Sequence, residues 1–271
     1  MTLTEYKKKL ESYSGKGRMP ADFEDIWKKY MTANSPFVSV EQVPFLNETA
    51  IYENVCITAD GREIHARCIR PRGDGKYPLV LMFHDLSRGV RGWHHMTRFI
   101  AQGYAVIALN EEKSDLDWLK SPENIDFQRR YAAAITLTAV AIRLPYVQAK
   151  RIVTWGEGLG AGLAIVAAAL IPYEVKCAAL NPMPADFRGL CKGVSEDDLR
   201  KLDYADVSNF APFILGEVLM GVCLMNQVAP PEAQYAIYNK LKCKKNIRVY
   251  PKYIHERVNF FENEVLSFLK D

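Results

Sequence analysis

The sequence predicts an α/β fold, a mostly parallel twisted sheet with helices on both faces, and three observations carry that expectation. Short runs that are apolar throughout alternate with helix-length segments from about Leu79 to the C-terminus, the pattern of strands buried on both faces between crossover helices. No repeat, low-complexity tract or Pro/Gly-rich linker divides the chain. A hydrophobic share of 49% with 25% charged residues over a length of 271 suits one large core. Residues 1–271 are therefore read as a single domain.

The elements follow in order. Thr4 to Met31 reads as helices packed outside the core, with Pro20 at a first helical turn, where its missing N–H costs no hydrogen bond. Residues 1–48 are accordingly expected to form an N-terminal helical extension. Tyr52–Thr58 and Ile64–Arg70 flank Asp60-Gly61, a hairpin turn signal, so an antiparallel hairpin is expected at the sheet's edge. The runs Leu79–Phe83, Ala105–Leu109, Ile152–Trp155, Lys176–Leu180, Val218–Val222 and Ile247–Tyr250 supply the parallel core. Between and after them, Met96–Gln102, Ile125–Arg143, Leu159–Leu170, Glu232–Leu241 and Glu256–Leu269 have helical length. In the last, Val258, Phe261, Val265 and Phe268 fall at helical spacing. Residues 182–209 are rich in charge and poor in strand signals, and read as a short helical cap over the strand ends.

Composition narrows the function classes. The formal net charge is +3 with Lys and Arg scattered, and the densest run, Lys240 to Lys245, is interrupted by Leu241 and Cys243. It reads as a solvated helix end, so no nucleic-acid partner is expected. The six cysteines lack the CxxC pairing of metal ribbons and redox motifs, and Cys56, Cys68, Cys177 and Cys223, in apolar strand-like settings, read as reduced, small hydrophobes. The polar start MTLTEYKKKLESYSGKG and the lack of an 18-residue apolar window point to a cytoplasmic protein with no membrane partner. No cofactor and no metal are expected: His94 and His95 are adjacent and cannot easily share an ion, even with His84 nearby. Trp93 and Trp118 are weighed as sugar-stacking groups, with ordinary packing preferred.

The chemistry-bearing stretch follows the strand Ile152–Trp155. Gly156-Glu157-Gly158-Leu159-Gly160-Ala161-Gly162 and a buried helix reproduce a strand-to-helix elbow of the G-x-S-x-G kind with no serine in it. A phosphate-cradling G-x-G-x-x-G loop is the weaker alternative. Its third glycine is off by one, and Leu180 is followed by Asn181-Pro182 rather than by an acidic residue.

Several segments, in order and over most of the chain, resemble the acetyl xylan esterase and cephalosporin-C deacetylase family. MPADFEDIWKKY is similar to that family's Pro-x-Asp-Phe-x-x-Phe-Trp helix, and DGREIHARCIRPRG to its Asp-Gly-x-x-Ile-x-Ala hairpin. LMFHDLSRG stands where the family has Phe-His-Gly-Tyr, and RIVTWGEGLGAG where it has Arg-Ile-x-x-x-Gly-Gly-Ser-Gln-Gly-Gly. NFAPFILGEVLMGVCLMNQVAPPEAQYAIYNKL and YPKYIHE are similar to its later motifs, which carry the triad aspartate and histidine. The resemblance implies an α/β-hydrolase fold, carboxylic ester hydrolysis as the family activity, and oligomers as the family habit.

Residue by residue, the resemblance puts the family's nucleophilic serine on Gly158, its triad aspartate on Asn226 and its triad histidine on His255. The two oxyanion-hole amides fall on Leu86 and Leu159, and a rim segment of the family is replaced by Glu111-Glu112-Lys113-Ser114. In a serine triad the hydroxyl attacks, histidine takes its proton, and aspartate fixes the histidine tautomer. Losing the nucleophile costs about 10⁶-fold in turnover, and glycine has no atom to attack with. His255 as a base for water, and Glu157 as a replacement nucleophile or binding group, are weighed against a decayed triad, which is preferred. Asp85 replaces a small glycine beside the oxyanion loop and Ser87 lies next to that loop; an approach of either to His255 is weighed against a solvated loop, which is preferred.

The expectation is thus an esterase-family protein without serine esterase activity, acting as a binding or assembly subunit in a homo-oligomer or with an active relative. The alternative is a deacetylase of acetylated sugars or small esters that uses a non-standard nucleophile or water activated by His255.

Overall fold

A computed structural model describes residues 2–32, 36–85, 92–111 and 117–270. The chain opens with helices α1 (Leu3–Glu11) and α2 (Phe23–Lys28), the latter running into a 3₁₀ turn at Lys29–Thr32. A capping box explains where α1 starts: the Thr2 hydroxyl accepts from the Glu5 N–H, and the Glu5 carboxylate accepts from the Thr2 N–H. Strands β1 (Phe37–Gln42), β2 (Ala50–Ala59), β3 (Arg62–Pro71) and β4 (Tyr77–Phe83) come next. Then follow α3 (His94–Ile100), β5 (Ala105–Leu109), α4 (Phe127–Ala141), β6 (Val147–Glu157), α5 (Leu159–Leu170) and β7 (Lys176–Leu180). Short helices α6 (Phe187–Leu190) and α7 (Glu196–Leu202) precede β8 (Glu217–Cys223), α8 (Pro231–Lys240), β9 (Lys244–Tyr250) and α9 (Asn259–Phe268).

Among the described residues nine strands form one sheet in the order β1-β2-β3-β5-β4-β6-β7-β8-β9. From β5 to β9 every pairing is parallel, while β1, β2 and β3 join antiparallel to one another and to β5. The hairpin β2–β3 turns at Asp60-Gly61, where both residues have positive φ. The hairpin is one strand in from the edge. The edge is β1, which lies inside the stretch 1–48 expected to be helical. Its sequence FVSVEQ is exposed or half-exposed along its length, so it lacks the buried face that makes a strand legible.

Two apolar layers cover the sheet. On one face Tyr131, Leu137, Leu163, Val166, Tyr235 and Ile237 from α4, α5 and α8 pack with Leu10, Phe23 and Trp27 of the N-terminal helices. On the other, Met96 and Phe99 of α3 and Phe261, Val265 and Phe268 of α9 pack on Val80, Val153 and Trp155. Residues 182–209 hold α6, α7 and a 3₁₀ turn at Val207–Asn209. They also receive the N-terminal segment. The Lys16 N–H donates to Asp186 Oδ1 at 2.6 Å, the Asp186 N–H donates to Asp206 Oδ2 at 2.8 Å, and Trp27 Nε1 donates to the Tyr204 carbonyl at 3.1 Å. Burial raises the Asp206 carboxyl above the usual carboxylate range. Among the described residues no helix is long and apolar enough to cross a membrane.

Candidate functional site

The site lies at the carboxyl ends of the central parallel strands, where this architecture leaves its crevice. At the end of β6 the chain turns sharply through Gly158, with φ 56° and ψ −124°, and enters α5 at Leu159. A positive φ of this kind suits glycine, and a side chain there is strained by about 1–3 kcal/mol. The neighbouring glycines answer to close packing. A Cβ on Gly156 would sit 2.1 Å from the Gly160 carbonyl oxygen, and one on Gly160 would sit 2.3 Å from that of Phe83. The glycine-rich stretch is therefore the signature of a tight elbow pressed against β4.

Three side chains from three loops, Asp85, His255 and Asn226, form a chain of hydrogen bonds beside Gly158. Asp85, two residues past the end of β4, is only 3% exposed, and its Oδ1 accepts the Leu159 N–H at 3.2 Å. Its Oδ2 lies 3.0 Å from His255 Nε2, which the loop after β9 supplies. Asn226, from the loop after β8 and 2% exposed, places Nδ2 3.1 Å from His255 Nδ1. A Cβ added to Gly158 would stand 2.0 Å from Asp85 Oδ1 and 3.1 Å from His255 Cε1. The Asp85 carboxylate thus fills the space that a side chain at 158 would need.

The hydrogen bonds assign a direction to this chain of groups. Asn226 Oδ1 accepts from the Val228 N–H at 3.0 Å and the Ala229 N–H at 2.8 Å, so the amide nitrogen is the end that faces the imidazole. Nδ2 donates, His255 Nδ1 accepts, and the ring proton is on Nε2, where it is donated to Asp85. A serine triad runs the other way, with Nδ1–H given to a carboxylate and a lone pair on Nε2 ready for the serine proton. Here the amide and the carboxylate have exchanged the roles that set the tautomer. The N-terminus of α5, with the Leu159 N–H directed out of the helix and a positive dipole end, favours an anion. That anion is the protein's own Asp85, which also disposes of the phosphate-loop alternative for this turn.

The sequence-selected residues fare differently. Gly158, Leu159, Asn226 and His255 meet at one point, while Leu86 and Ser87 lie outside the described residues, as do 112–114 of the altered rim segment. Glu157 is buried at 6% exposure, shares the Trp155 side of β6 by strand alternation, and acts on Arg257 of the α9 approach. Trp118 is a packing residue: it is 3% exposed and its Nε1 donates to the Val228 carbonyl at 2.7 Å. Trp93 packs edge-on against Tyr52 and Phe45. Asp85 was expected in a solvated loop, and this is corrected: it is buried because His255 and the Leu159 N–H supply partners that compensate the lost water. The exchange of a family glycine for an acid beside the elbow is the sequence signal for the alternative weighed above, an approach of Asp85 to His255, and the structure has that contact.

A nine-stranded sheet of this order, with an elbow after β6, a polar residue after β8 and a histidine after β9, defines an α/β hydrolase. The chain belongs to the acetyl xylan esterase family, whose model, described as acetyl xylan esterase (AXE1), matches residues 1–115, 117–195 and 190–271. The fold is similar to that of acetyl xylan esterase 1 from Thermoanaerobacterium sp. JW/SL YS485, with TM-score 0.84 and 26% identity over 99% of this chain and 98% of that one. It is equally similar to an acetyl xylan esterase from Paenibacillus sp. R4, with TM-score 0.84 and 21% identity over 100% of this chain and 99% of that one. Among curated relatives, the acetyl esterase Axe7A of Xylanibacter ruminicola is 23% identical over 274 residues, covering 86% of this chain and 62% of the relative. The chain therefore spans less than two thirds of that relative's length.

Proposed function

We propose that this protein is a non-hydrolytic member of the acetyl xylan esterase family, retained as a binding or assembly subunit. One observation carries the reading: the Asp85 carboxylate occupies the nucleophile's place and the oxyanion N–H together. An ester carbonyl entering the site would have to displace a buried charge from its hydrogen bonds before meeting a residue, Gly158, that has nothing to attack with. His255 gives no help as a base, because its Nε2 donates rather than accepts.

A binding or assembly role is supported by what surrounds the filled site. Met225, Val228 and Ile254, on the loops that carry Asn226 and His255, are 57%, 43% and 53% exposed. Exposed apolar side chains on the loops that carry the site favour a protein or sugar surface over bare water. Copies of this chain, an active relative, or an acetylated sugar are the partners this role calls for, and mass measurement by light scattering reports the first two.

The test of inactivity is hydrolysis of 4-nitrophenyl acetate by the protein beside His255→Ala. Equal rates are expected. His255-dependent turnover well above the variant would overturn the reading and return the deacetylase alternative. Asp85 would then be the first replacement nucleophile to examine, because its carboxylate already adjoins both His255 and the oxyanion donor.

A further inference from the structure

Far from the elbow, the outer face of the β2–β3 hairpin brings together three side chains that ligate metals. Cys56 and His65 are direct cross-strand partners, and Glu63 stands two residues before His65 on the same face of β3. Val55, Ile57, Ile64 and Ala66 alternate with them and are buried on the opposite face, so the register that packs the core also holds the three ligands side by side. A one-residue slip would send them inward and the core residues out.

The distances fit a small cation. One ligand atom from each residue, the Cys56 sulfur, a His65 ring nitrogen and a Glu63 carboxylate oxygen, lies within 4.8 Å of the other two. His65 Nε2 and Glu63 Oε2 are 3.5 Å apart. In a tetrahedral zinc site, with metal–ligand bonds of about 2.0–2.3 Å, neighbouring ligand atoms are about 3.5 Å apart. One pair already has that spacing, and closing the others takes about 1 Å of movement at side-chain torsions. Cys56 is half-buried, whereas Glu63 and His65 are exposed, so an ion reaches the cluster from solvent and a fourth coordination position faces outward.

We infer that Cys56, Glu63 and His65 form a binding site for a divalent cation of the zinc class, with three protein ligands and one open position. The mixed sulfur, nitrogen and oxygen set favours zinc, cobalt or copper over magnesium or calcium, which take oxygen ligands. Binding deprotonates the Cys56 thiol, and the proton leaves to solvent. Thiolate and carboxylate together then match the charge of the ion.

The test is titration of the reduced, full-length protein with Co²⁺, followed by displacement with Zn²⁺. The expected result is a thiolate-to-cobalt charge-transfer band in the near ultraviolet with visible d–d bands, saturating at one equivalent and erased by Zn²⁺. Cys56→Ser abolishes the charge-transfer band, and His65→Ala and Glu63→Gln each weaken binding by roughly tenfold or more. Cys191→Ser and Cys243→Ser, at the other two half-buried thiols, leave the band unchanged. Circular dichroism of each variant confirms that the hairpin still folds, and these outward-facing positions give three independent substitutions. A protein that develops no charge-transfer band, or a band that survives Cys56→Ser, overturns the inference.

Discussion

The turn after β6 and the loop after β4 meet at the same point, yet each contributes a different kind of matter. The turn contributes backbone: Gly156, Gly158 and Gly160 bring β6, α5 and β4 to within contact, and any Cβ at 156 or 160 would strike a carbonyl oxygen about 2 Å away. The loop contributes a side chain, Asp85, whose two oxygens serve the Leu159 N–H and His255. The difference teaches that the elbow is held by packing, which needs no catalysis to persist, whereas the chemistry at its tip belongs to a few exchangeable side chains.

The largest test of that division is to restore the side chains and leave the backbone alone. Gly158→Ser by itself, or with Asn226→Asp, puts a Cβ 2.0 Å from Asp85 Oδ1, and these variants are expected to stay inactive and to lose stability. Adding Asp85→Gly removes the obstruction, and the triple variant is expected to hydrolyse 4-nitrophenyl acetate roughly 10³-fold or more faster than the parent. A double variant as active as the triple would show that Asp85 does not fill the site.

Next in size is the cost of breaking the Asp85–His255 pair. The Asp85 side chain is 2% exposed and that of His255 12%, so His255→Ala leaves a buried carboxylate short of a partner and is expected to cost about 3 kcal/mol in urea unfolding. Removing both, as His255→Ala/Asp85→Ala, is expected to cost less than the sum of the single changes. Strict additivity would mean that the two groups do not interact.

The smallest effect separates the core from the hairpin. Burial pushes the Cys68 and Cys177 thiols up to about 12 and the Cys223 thiol up to about 11. At pH 8 their thiolate fractions are then roughly 10⁻³ to 10⁻⁴, and they are expected to resist a disulfide reagent in the folded protein. Cys56, at the solvent-facing side of β2, is expected to react within the first minutes, and bound Zn²⁺ to slow it. Rapid labelling of Cys68 or Cys177, read by mass spectrometry, would contradict the packing described.

Much of the scaffold was legible in the sequence because its signals are local. Leu159–Leu170 was expected as a helix and has those bounds, and each of the apolar runs from Leu79 to Tyr250 falls inside an observed strand. The elbow was legible from its glycines, and the kinship from ordered motifs. What escaped depends on partners distant in the chain. β1 is an exposed edge strand with no periodic burial. For Asp85 the sequence leaves both a solvated loop and an approach to His255 open, and the fold decides between them by bringing together residues 170 apart. Cys56, Glu63 and His65 match no metal-ligand spacing, and become neighbours once the Asp60-Gly61 turn fixes which residues face each other across the hairpin.

The proposal of a non-hydrolytic protein depends most on the direction of the hydrogen bonds at His255, and nitrogen NMR of the imidazole reads it directly. With the ring labelled, a protonated, pyrrole-like Nε2 and an unprotonated, pyridine-like Nδ1 are expected, with the pattern lost in Asp85→Gly/Asn226→Asp. A pyrrole-like Nδ1 with a free lone pair on Nε2 in the parent protein would mean that Asn226 presents its oxygen to the ring. The site would then keep the polarity of a working triad, and the proposal of a non-hydrolytic protein would fail.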